Sequence, residues 1–240
     1  MEGYRERDEK EVMKQHRFIG SYDLRFSEIV LEDEAARQMS LVLKLRAGEQ
    51  VVLCDGQGMQ ATFTIAEISK GRVGLARMNE PDVVPTEPRH VVTLYAAILK
   101  RENFEWLVQK ATECGIYRIV PILTRRTVKQ GLKIERLREI AREAAEQSGR
   151  GRLPEILEPM SFISALEAAT QAGSTYFFDI GGKRYTGGGE KCSIFIGPEG
   201  GWDPEERATA IESRAMIADL GPRVLRAETA ATVAAFLSNQ

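Results

Sequence analysis

The segment SIFIGPEGGWDPEERATAIES, residues 193–213, contains the change of pattern that decides the fold. An apolar run at 193–196 predicts a buried strand, and a Gly-Pro loop follows it directly. Asp203, Pro204 and Glu206 then supply an N-cap, a proline in the first turn and a carboxylate three residues after the cap, which predicts a helix over 204–213. A strand, a glycine loop and a helix in this order indicate one unit of an α/β fold.

The same alternation of strands and helices runs through residues 90–240. We predict strands at 91–99, 118–123, 175–178, 193–196 and 216–219, and helices at 104–114, 134–147, 162–169, 204–213 and 229–237. Gly115 follows the first of these helices, at the place where a left-handed C-terminal cap is favoured. The alternation predicts a parallel sheet covered by helices.

The N-terminal part has a different pattern. Residues 13–78 contain short β-rich runs and one helix at 33–43, and Asp55-Gly56 predicts a hairpin turn, so we expect a small β-barrel. Residues 79–89 contain three prolines and form a predicted linker. Residues 1–12 carry mixed charges and no apolar run, which favours a disordered extension.

Composition excludes several functional classes. The 33 basic and 35 acidic residues leave a net charge of -2, which is unlike a histone-type polycation. The three cysteines are widely spaced and there are two histidines, so the chain has neither a disulfide framework nor a thiol metal motif. We therefore expect no metal and a reducing cytoplasm. We also expect no membrane association, because no apolar run reaches the length of about 18 residues that a spanning helix needs.

Three glycine-containing loops follow predicted strands, at 178–182, 197–201 and 220–226. Ligands bind at the carboxyl ends of parallel strands, where glycines let the backbone come close to them, so these loops predict a binding site. The alternative is that they are only tight turns. No GxxxxGK[ST] motif occurs and no GxGxxG follows the first strand of this domain, so neither a P-loop nor a Rossmann site is supported.

Residues 118–152 contain ten basic residues and four glutamates, a positive excess on a mildly acidic chain. This pattern is typical of a surface that binds the phosphates of a nucleic acid. Arg125, Arg126, Arg150 and Arg152 lie in predicted loops and are our candidates for RNA contacts. The alternative is a solvated helix face rich in arginine.

Four motifs carry a resemblance to a known family: IGPEGGWDPEE (196–206), LGPRVLRAETA (220–230), QKATECG (109–115) and EAAEQSGR (143–150). They resemble the RsmE family of SPOUT-class methyltransferases, which modify N3 of a uridine in 16S ribosomal RNA of the small subunit. The resemblance implies a trefoil-knotted α/β domain that binds S-adenosylmethionine, a PUA-like barrel that binds RNA, and a homodimer. Cys114, Trp202 and Ala227 depart from the commoner family pattern.

The resemblance also implies site residues. The methyl donor would be held by Phe178, Ile196, Gly197, Gly200, Leu220, Gly221 and Leu225, and a side chain added at Gly197 or Gly221 would fill its space. We add Arg17, in the barrel, as a further RNA contact. The almost wholly apolar run 230–237 is the predicted dimer contact, and burial within its own subunit is the alternative.

Catalysis requires the uridine imide to lose its proton. We expect Arg226 to stabilise the resulting anion and Glu228 to accept the proton, directly or through water. The alternatives are a structural ion pair for Arg226 and a favourable helix-dipole position for Glu228. At the level of function, the rivals are a ribose 2'-O methyltransferase of the same superfamily, a non-catalytic RNA-binding protein and, more remotely, a nucleotide-binding metabolic enzyme.

Overall fold

A computed structural model of the chain describes residues 15–127 and 131–240. The predicted extension at 1–12 and Lys129 of the basic segment therefore lie outside the described residues. The chain divides into two compact units between Val84 and Pro85, a boundary inside the proline-rich segment 79–89. No helix in the described ranges is both long and apolar enough to cross a membrane.

The first unit is built on a six-stranded sheet. Its strands are β1 (His16–Ile19), β2 (Glu28–Leu31), β3 (Gln50–Cys54), β4 (Met59–Ser69), β5 (Arg72–Arg77) and β6 (Asp82–Val83). The order is β1-β3-β4-β5-β2, with β6 beside β4 and only the β1–β3 pair parallel. Among the described residues no pairing joins β1 to β2, so the strand order is open where a closed barrel was expected.

In this unit the predicted hairpin turn is confirmed, whereas the predicted helix and linker differ in detail. The turn at Asp55-Gly56 joins the antiparallel strands β3 and β4, with Gly56 at a φ of 77° and the Asp55 carboxylate accepting from the amides of Gln57 and Met59. The predicted helix is shorter and less regular: α1 (Glu34–Arg37) continues as one π-helical turn over Gln38–Val42. Residues 82–83 of the predicted linker pair with β4 as strand β6.

The second unit confirms the predicted parallel sheet covered by helices. Its strands are β7 (Val91–Ala97), β8 (Arg118–Leu123), β9 (Glu155–Ile156), β10 (Met160–Ser161), β11 (Ser174–Arg184), β12 (Lys191–Ile196) and β13 (Met216–Asp219). Its helices are α2 (Arg101–Glu113), α3 (Ile134–Ser148), α4 (Phe162–Ala172), α5 (Pro204–Glu212) and α6 (Ala227–Ser238). All strand pairs are parallel, in the order β10-β8-β7-β12-β11-β13, with β9 beside β8.

Helices cover both faces of this sheet. Leu94 and Ile194 join the core that α2, α3 and α6 complete, whereas Tyr95 and Phe195 join the core under α4 and α5. Successive strand residues point to opposite faces, so a strand covered on both sides is apolar throughout. This explains why the predicted strands are continuous hydrophobic runs.

The predicted helix signals are confirmed. Asp203 and Glu206 form a reciprocal capping box at the start of α5, with Pro204 as the first helical residue. Gly115 follows α2 with a φ of 87°, and a Cβ there would lie 2.2 Å from Cγ of Pro88. Glycine is therefore required after α2 for its backbone conformation and also for the close approach of Pro88.

Strand β11 is longer than predicted. Phe178 and Lys183 both pair with Ala218 of β13, so the expected loop 178–182 is an outward excursion within one strand. A Cβ on Gly182 would lie 2.5 Å from the carbonyl carbon of Ala218. Only glycine fits where the excursion rejoins the sheet.

Candidate active site

One large cavity, of about 680 Å³, lies at the carboxyl ends of β11, β12 and β13. The three glycine loops form its wall, because parallel neighbouring strands end at the same edge of a sheet. Of the residues predicted to hold the methyl donor, six line it: Phe178, Ile196, Gly197, Leu220, Gly221 and Leu225. Gly200 belongs to the second loop but not to the wall, which its neighbours Glu199 and Gly201 form instead.

Sequence reasoning missed part of this wall. Asp179 lines the cavity and accepts a hydrogen bond from Nε of Arg207 at 2.8 Å, which ties the β11 excursion to α5. Ile180 and Val224 also line it while remaining 74% and 81% exposed, so they form an apolar rim. Asp179, Ile180 and Val224 lie within the predicted glycine loops, so the sequence could have indicated them as cavity residues. Arg184 reaches the cavity from the far side of the excursion, and no motif near it in the sequence indicated this.

Trp202 joins two of the loops. Its Nε1 donates to the carbonyl of Phe178 at 2.9 Å, and its ring centroid lies 4.2 Å from that of Phe177. A Cβ added at Gly197 would meet Cε2 of this indole at 2.9 Å. Space for a cofactor therefore remains the predicted reason for Gly197, and the close approach of the indole is a second reason for glycine there.

Gly221 has a different physical reason. Its φ of 116° is a conformation that other residues adopt only with strain, and its amide donates to Oδ1 of Asp219 at 3.1 Å. A Cβ there would lie 3.3 Å from a guanidinium nitrogen of Arg184, which is the mobile end of a side chain. Backbone conformation is therefore the stronger constraint at this position.

Arg226 and Glu228 lie at the start of α6. Arg226 is the N-cap residue, lines the cavity and is exposed, and within the described ranges its guanidinium has no hydrogen-bond or ion-pair partner. The described residues thus include no partner for the alternative role of Arg226 in an ion pair. Glu228 is 9% exposed in the first helical turn, and its Oε2 has no hydrogen-bond partner among the described residues. Glu228 is not part of the cavity wall.

Comparison with known proteins identifies the family. Residues 85–238 match the family model described as an RNA methyltransferase domain. The ribosomal RNA small subunit methyltransferase E of Bacillus subtilis is 29% identical over 79% of this chain and 80% of its own length. The enzyme of the same name from Synechocystis is 30% identical over 86% of this chain and 71% of its own length. The chain belongs to the RsmE family of RNA methyltransferases.

Solved structures agree with this RsmE-family membership. The ribosomal RNA small subunit methyltransferase E of Neisseria gonorrhoeae, bound to S-adenosylmethionine, is 27% identical with a TM-score of 0.86, over 92% of this chain and 95% of that one. A methyltransferase from Legionella pneumophila, also in complex with S-adenosylmethionine, is 27% identical with a TM-score of 0.84, over 92% of this chain and 96% of that one.

One predicted RNA contact of this RsmE-family chain is wrong. Arg150 is 3% exposed, and its guanidinium pairs with Glu87 at 3.2 Å and donates to the carbonyls of Thr112 and Ile116. Glu87 also accepts from the amides of Gly151 and Arg152. Arg150 is therefore a buried residue that links segments of the second unit through an ion pair and hydrogen bonds, and it cannot reach a phosphate.

The other predicted contacts remain accessible to different degrees. Arg17 donates to Sγ of Cys54 and to Oε1 of Gln60, both at 2.8 Å, and is partly buried. Arg152 lies 5.5 Å from the ring centroid of Tyr117, a cation–π contact. Arg125 pairs with Asp203 and Glu205, and its hydrogen bond with Glu205 raises its pKa further, so it stays charged.

The two cysteines of the second unit are poorly suited to act as nucleophiles. Burial raises the pKa of both Cys114 and Cys192, which keeps these thiols protonated. No group of three or more His, Cys, Asp or Glu side chains among the described residues could hold a metal ion.

Proposed function

We propose that this protein methylates N3 of a specific uridine in 16S ribosomal RNA of the small subunit, with S-adenosylmethionine as the methyl donor. The observation that carries the proposal is the large cavity at the ends of β11, β12 and β13, with Arg226 on its wall, in a chain of the RsmE family. The names of the relatives from Bacillus subtilis and Synechocystis support the same substrate class.

The cavity fits the proposed methyl donor. Its volume lies within the range of about 300–1,000 Å³ that is typical of small-molecule sites. Ile196, Leu220 and Leu225 offer apolar surface for an adenine ring, and the backbone at Gly221, free of a side chain, leaves room for close polar contacts. When bound there, S-adenosylmethionine supplies an electrophilic methyl group on its sulfonium.

Arg226 would make the uridine reactive. N3 must lose its proton before it attacks well, and Arg226, which keeps its charge, cannot take that proton. Its guanidinium lies on the wall, free of a carboxylate partner within the described ranges, and can instead stabilise the negative charge on the uracil oxygens. Once the N3 proton has passed to an acceptor, the anion would attack the methyl carbon as the carbon–sulfur bond breaks, with S-adenosylhomocysteine as the leaving group.

Glu228 is our candidate for that acceptor. Its Oε2 is buried without a hydrogen-bond partner in the described ranges, a costly state that a proton or a bound water would relieve. Because Glu228 is not on the cavity wall, we propose that a water carries the proton to it from N3. Its place in the first turn of α6 is also favourable for a carboxylate because of the helix dipole, which is the alternative reason for Glu228.

RNA binding would involve cations of both units that remain at least partly exposed. We retain Arg17, Arg125, Arg126 and Arg152 as candidates and leave out Arg150, which is buried. Exposed cations bind phosphates without reading sequence, so they would position the RNA while the cavity selects the base.

The finer features of the fold are part of the same proposal. A PUA-like barrel is supported for the first unit by the antiparallel pairings that join β3, β4, β5 and β2, although the strand order is open. A trefoil knot is supported by the chain after β13, which lines the same cavity as the loops of β11 and β12 before α6 packs on α2.

A homodimer is supported by Phe236 of α6, which is 53% exposed while Ala231, Ala234 and Ala235 are buried within the subunit. Action on ribosomal RNA supports a cytoplasmic location.

Nucleoside mass spectrometry tests the function. Small-subunit RNA from a deletion strain should lack one methylated uridine, which the wild-type gene restores and the Arg226→Ala gene does not. A methyl group lost from a ribose would favour the 2'-O alternative. An unchanged set of nucleosides, together with no heat of binding for S-adenosylmethionine, would favour a non-catalytic RNA-binding protein.

A further inference from the structure

A tight turn after β8 contacts the second cavity loop. In this turn, residues 124–127, the amide of Thr124 donates to Oγ1 of Thr127 at 3.0 Å and the amide of Thr127 donates to the carbonyl of Thr124 at 3.2 Å. It holds Arg125 and Arg126, which are alike in the sequence and were both predicted to bind RNA. Their surroundings in the structure differ.

Arg125 is bonded to carboxylates at the start of α5. Its amide donates to Oε1 of Glu206 at 2.8 Å, while the other oxygen of Glu206 closes the capping box with the amide of Asp203. Its guanidinium is paired with Asp203 and Glu205. Carboxylates therefore balance the charge of Arg125, which anchors the turn to the start of α5.

Arg126 is hydrogen-bonded to the second cavity loop. Its Nη1 donates to the carbonyl of Gly200 at 2.8 Å, and its Cδ would lie 3.7 Å from a Cβ at Gly200. Glu199 and Gly201, on either side of Gly200, line the cavity. In the described part of the chain no carboxylate pairs with Arg126, which is exposed, so a neutral acceptor leaves its positive charge available.

We propose that Arg126 is a positioning residue that couples RNA binding to cofactor binding. One N–H group holds the Gly200 carbonyl while the remaining N–H groups bind a phosphate of the RNA. A phosphate on the guanidinium fixes Arg126, and with it the loop between Glu199 and Gly201, so the second ligand meets an ordered site. Each ligand must then raise the affinity of the other by the same factor. This inference rests on the proposed function.

Equilibrium dialysis of radiolabelled S-adenosylhomocysteine measures the coupling without turnover. The full-length protein is dialysed with and without saturating small ribosomal subunits from a strain that lacks the enzyme. For the wild type we expect the subunits to lower the Kd of S-adenosylhomocysteine about fivefold or more, the lower end of typical coupling factors. For Arg126→Ala we expect the same Kd in both conditions.

Two further variants separate charge from geometry. Arg126→Lys keeps the positive charge but loses the planar fork, so subunit binding should remain close to the wild type while most of the coupling disappears. Arg138→Ala removes an exposed arginine of α3 that pairs with Glu135, and it should keep the full coupling.

Each outcome decides between the possibilities. An Arg126→Ala protein that keeps the subunit-dependent shift overturns the inference, as does a wild-type protein that methylates subunits but shows no shift. If Arg126→Ala raises the Kd by the same factor with and without subunits, so that the subunit-dependent shift persists, the residue only shapes the loop and its role in coupling is refuted. A wild-type protein that neither binds nor methylates the subunits contradicts the proposed function itself.

Discussion

Replacing Gly197 by alanine should destabilise the second unit through Trp202. The backbone at Gly197 is acceptable to alanine, since its φ is not in the positive region, but the new Cβ would lie 2.9 Å from Cε2 and 3.0 Å from Nε1 of the indole. The ring has little room to retreat, because Trp202 is 8% exposed and packs on Phe177 and Phe162. The indole would have to shift and loosen its hydrogen bond to the Phe178 carbonyl.

The expected cost follows from these contacts. Overpacking costs about 1–3 kcal/mol, and losing the indole hydrogen bond costs about 0.5–1.5 kcal/mol. Removing a glycine from the unfolded chain offsets about 0.4–1 kcal/mol of this. We therefore expect the free energy of unfolding to fall by about 2 kcal/mol.

Urea denaturation followed by tryptophan fluorescence measures this change, because Trp106 and Trp202 both lie in the second unit. The matched control is Gly197→Ala in a Trp202→Phe background, where the smaller ring leaves space for the methyl group. There the same substitution should cost less than half as much. Equal costs in the two backgrounds, or no cost in the wild-type background, would refute the proposed contact.

Three further predictions concern charged residues. Arg226→Ala should lower the single-turnover methylation rate about a hundredfold or more while the Kd of S-adenosylmethionine stays nearly unchanged, and wild-type turnover would remove Arg226 from the mechanism. Glu228→Gln should slow methylation at neutral pH and regain rate as rising pH ionises the uridine unaided; a wild-type rate across that range would exclude Glu228 as the acceptor. Arg150→Ala should lower the free energy of unfolding by about 3–5 kcal/mol, because the largely buried carboxylate of Glu87 would lose its ion-pair partner, yet the salt dependence of RNA binding should not change. A stable variant with a weaker salt dependence would restore Arg150 as an RNA contact.

Features that depend on neighbours in the sequence could be predicted from it. The capping box at Asp203 and Glu206 and the left-handed cap at Gly115 are set by groups within one helical turn. The cavity could be foreseen as well, because the strands are parallel and their carboxyl ends must share one edge. Six of the proposed cofactor residues lie on its wall for this reason.

The open sheet of the first unit and the excursion in β11 could not be foreseen. Short β-rich runs reveal strands but not which strands pair, so an expected barrel became the open order β1-β3-β4-β5-β2. The excursion depends on both Phe178 and Lys183 pairing with Ala218, a residue of another strand. Pairings of this kind are chosen by packing across the whole sheet.

What the sequence determined by itself was the set of charges, and what only the tertiary structure decided was the partner of each. Arg126 and Arg150 are equally basic and both stand in loops. Glu87, 63 positions from Arg150, neutralises that arginine in the interior. Arg126 instead donates at the surface to the carbonyl of Gly200, 74 positions away, and no carboxylate among the described residues pairs with it. The energy of a charge depends on its distance to other charges and on its exposure to water. Folding sets both quantities, and for that reason one arginine is structural and the other is available to a ligand.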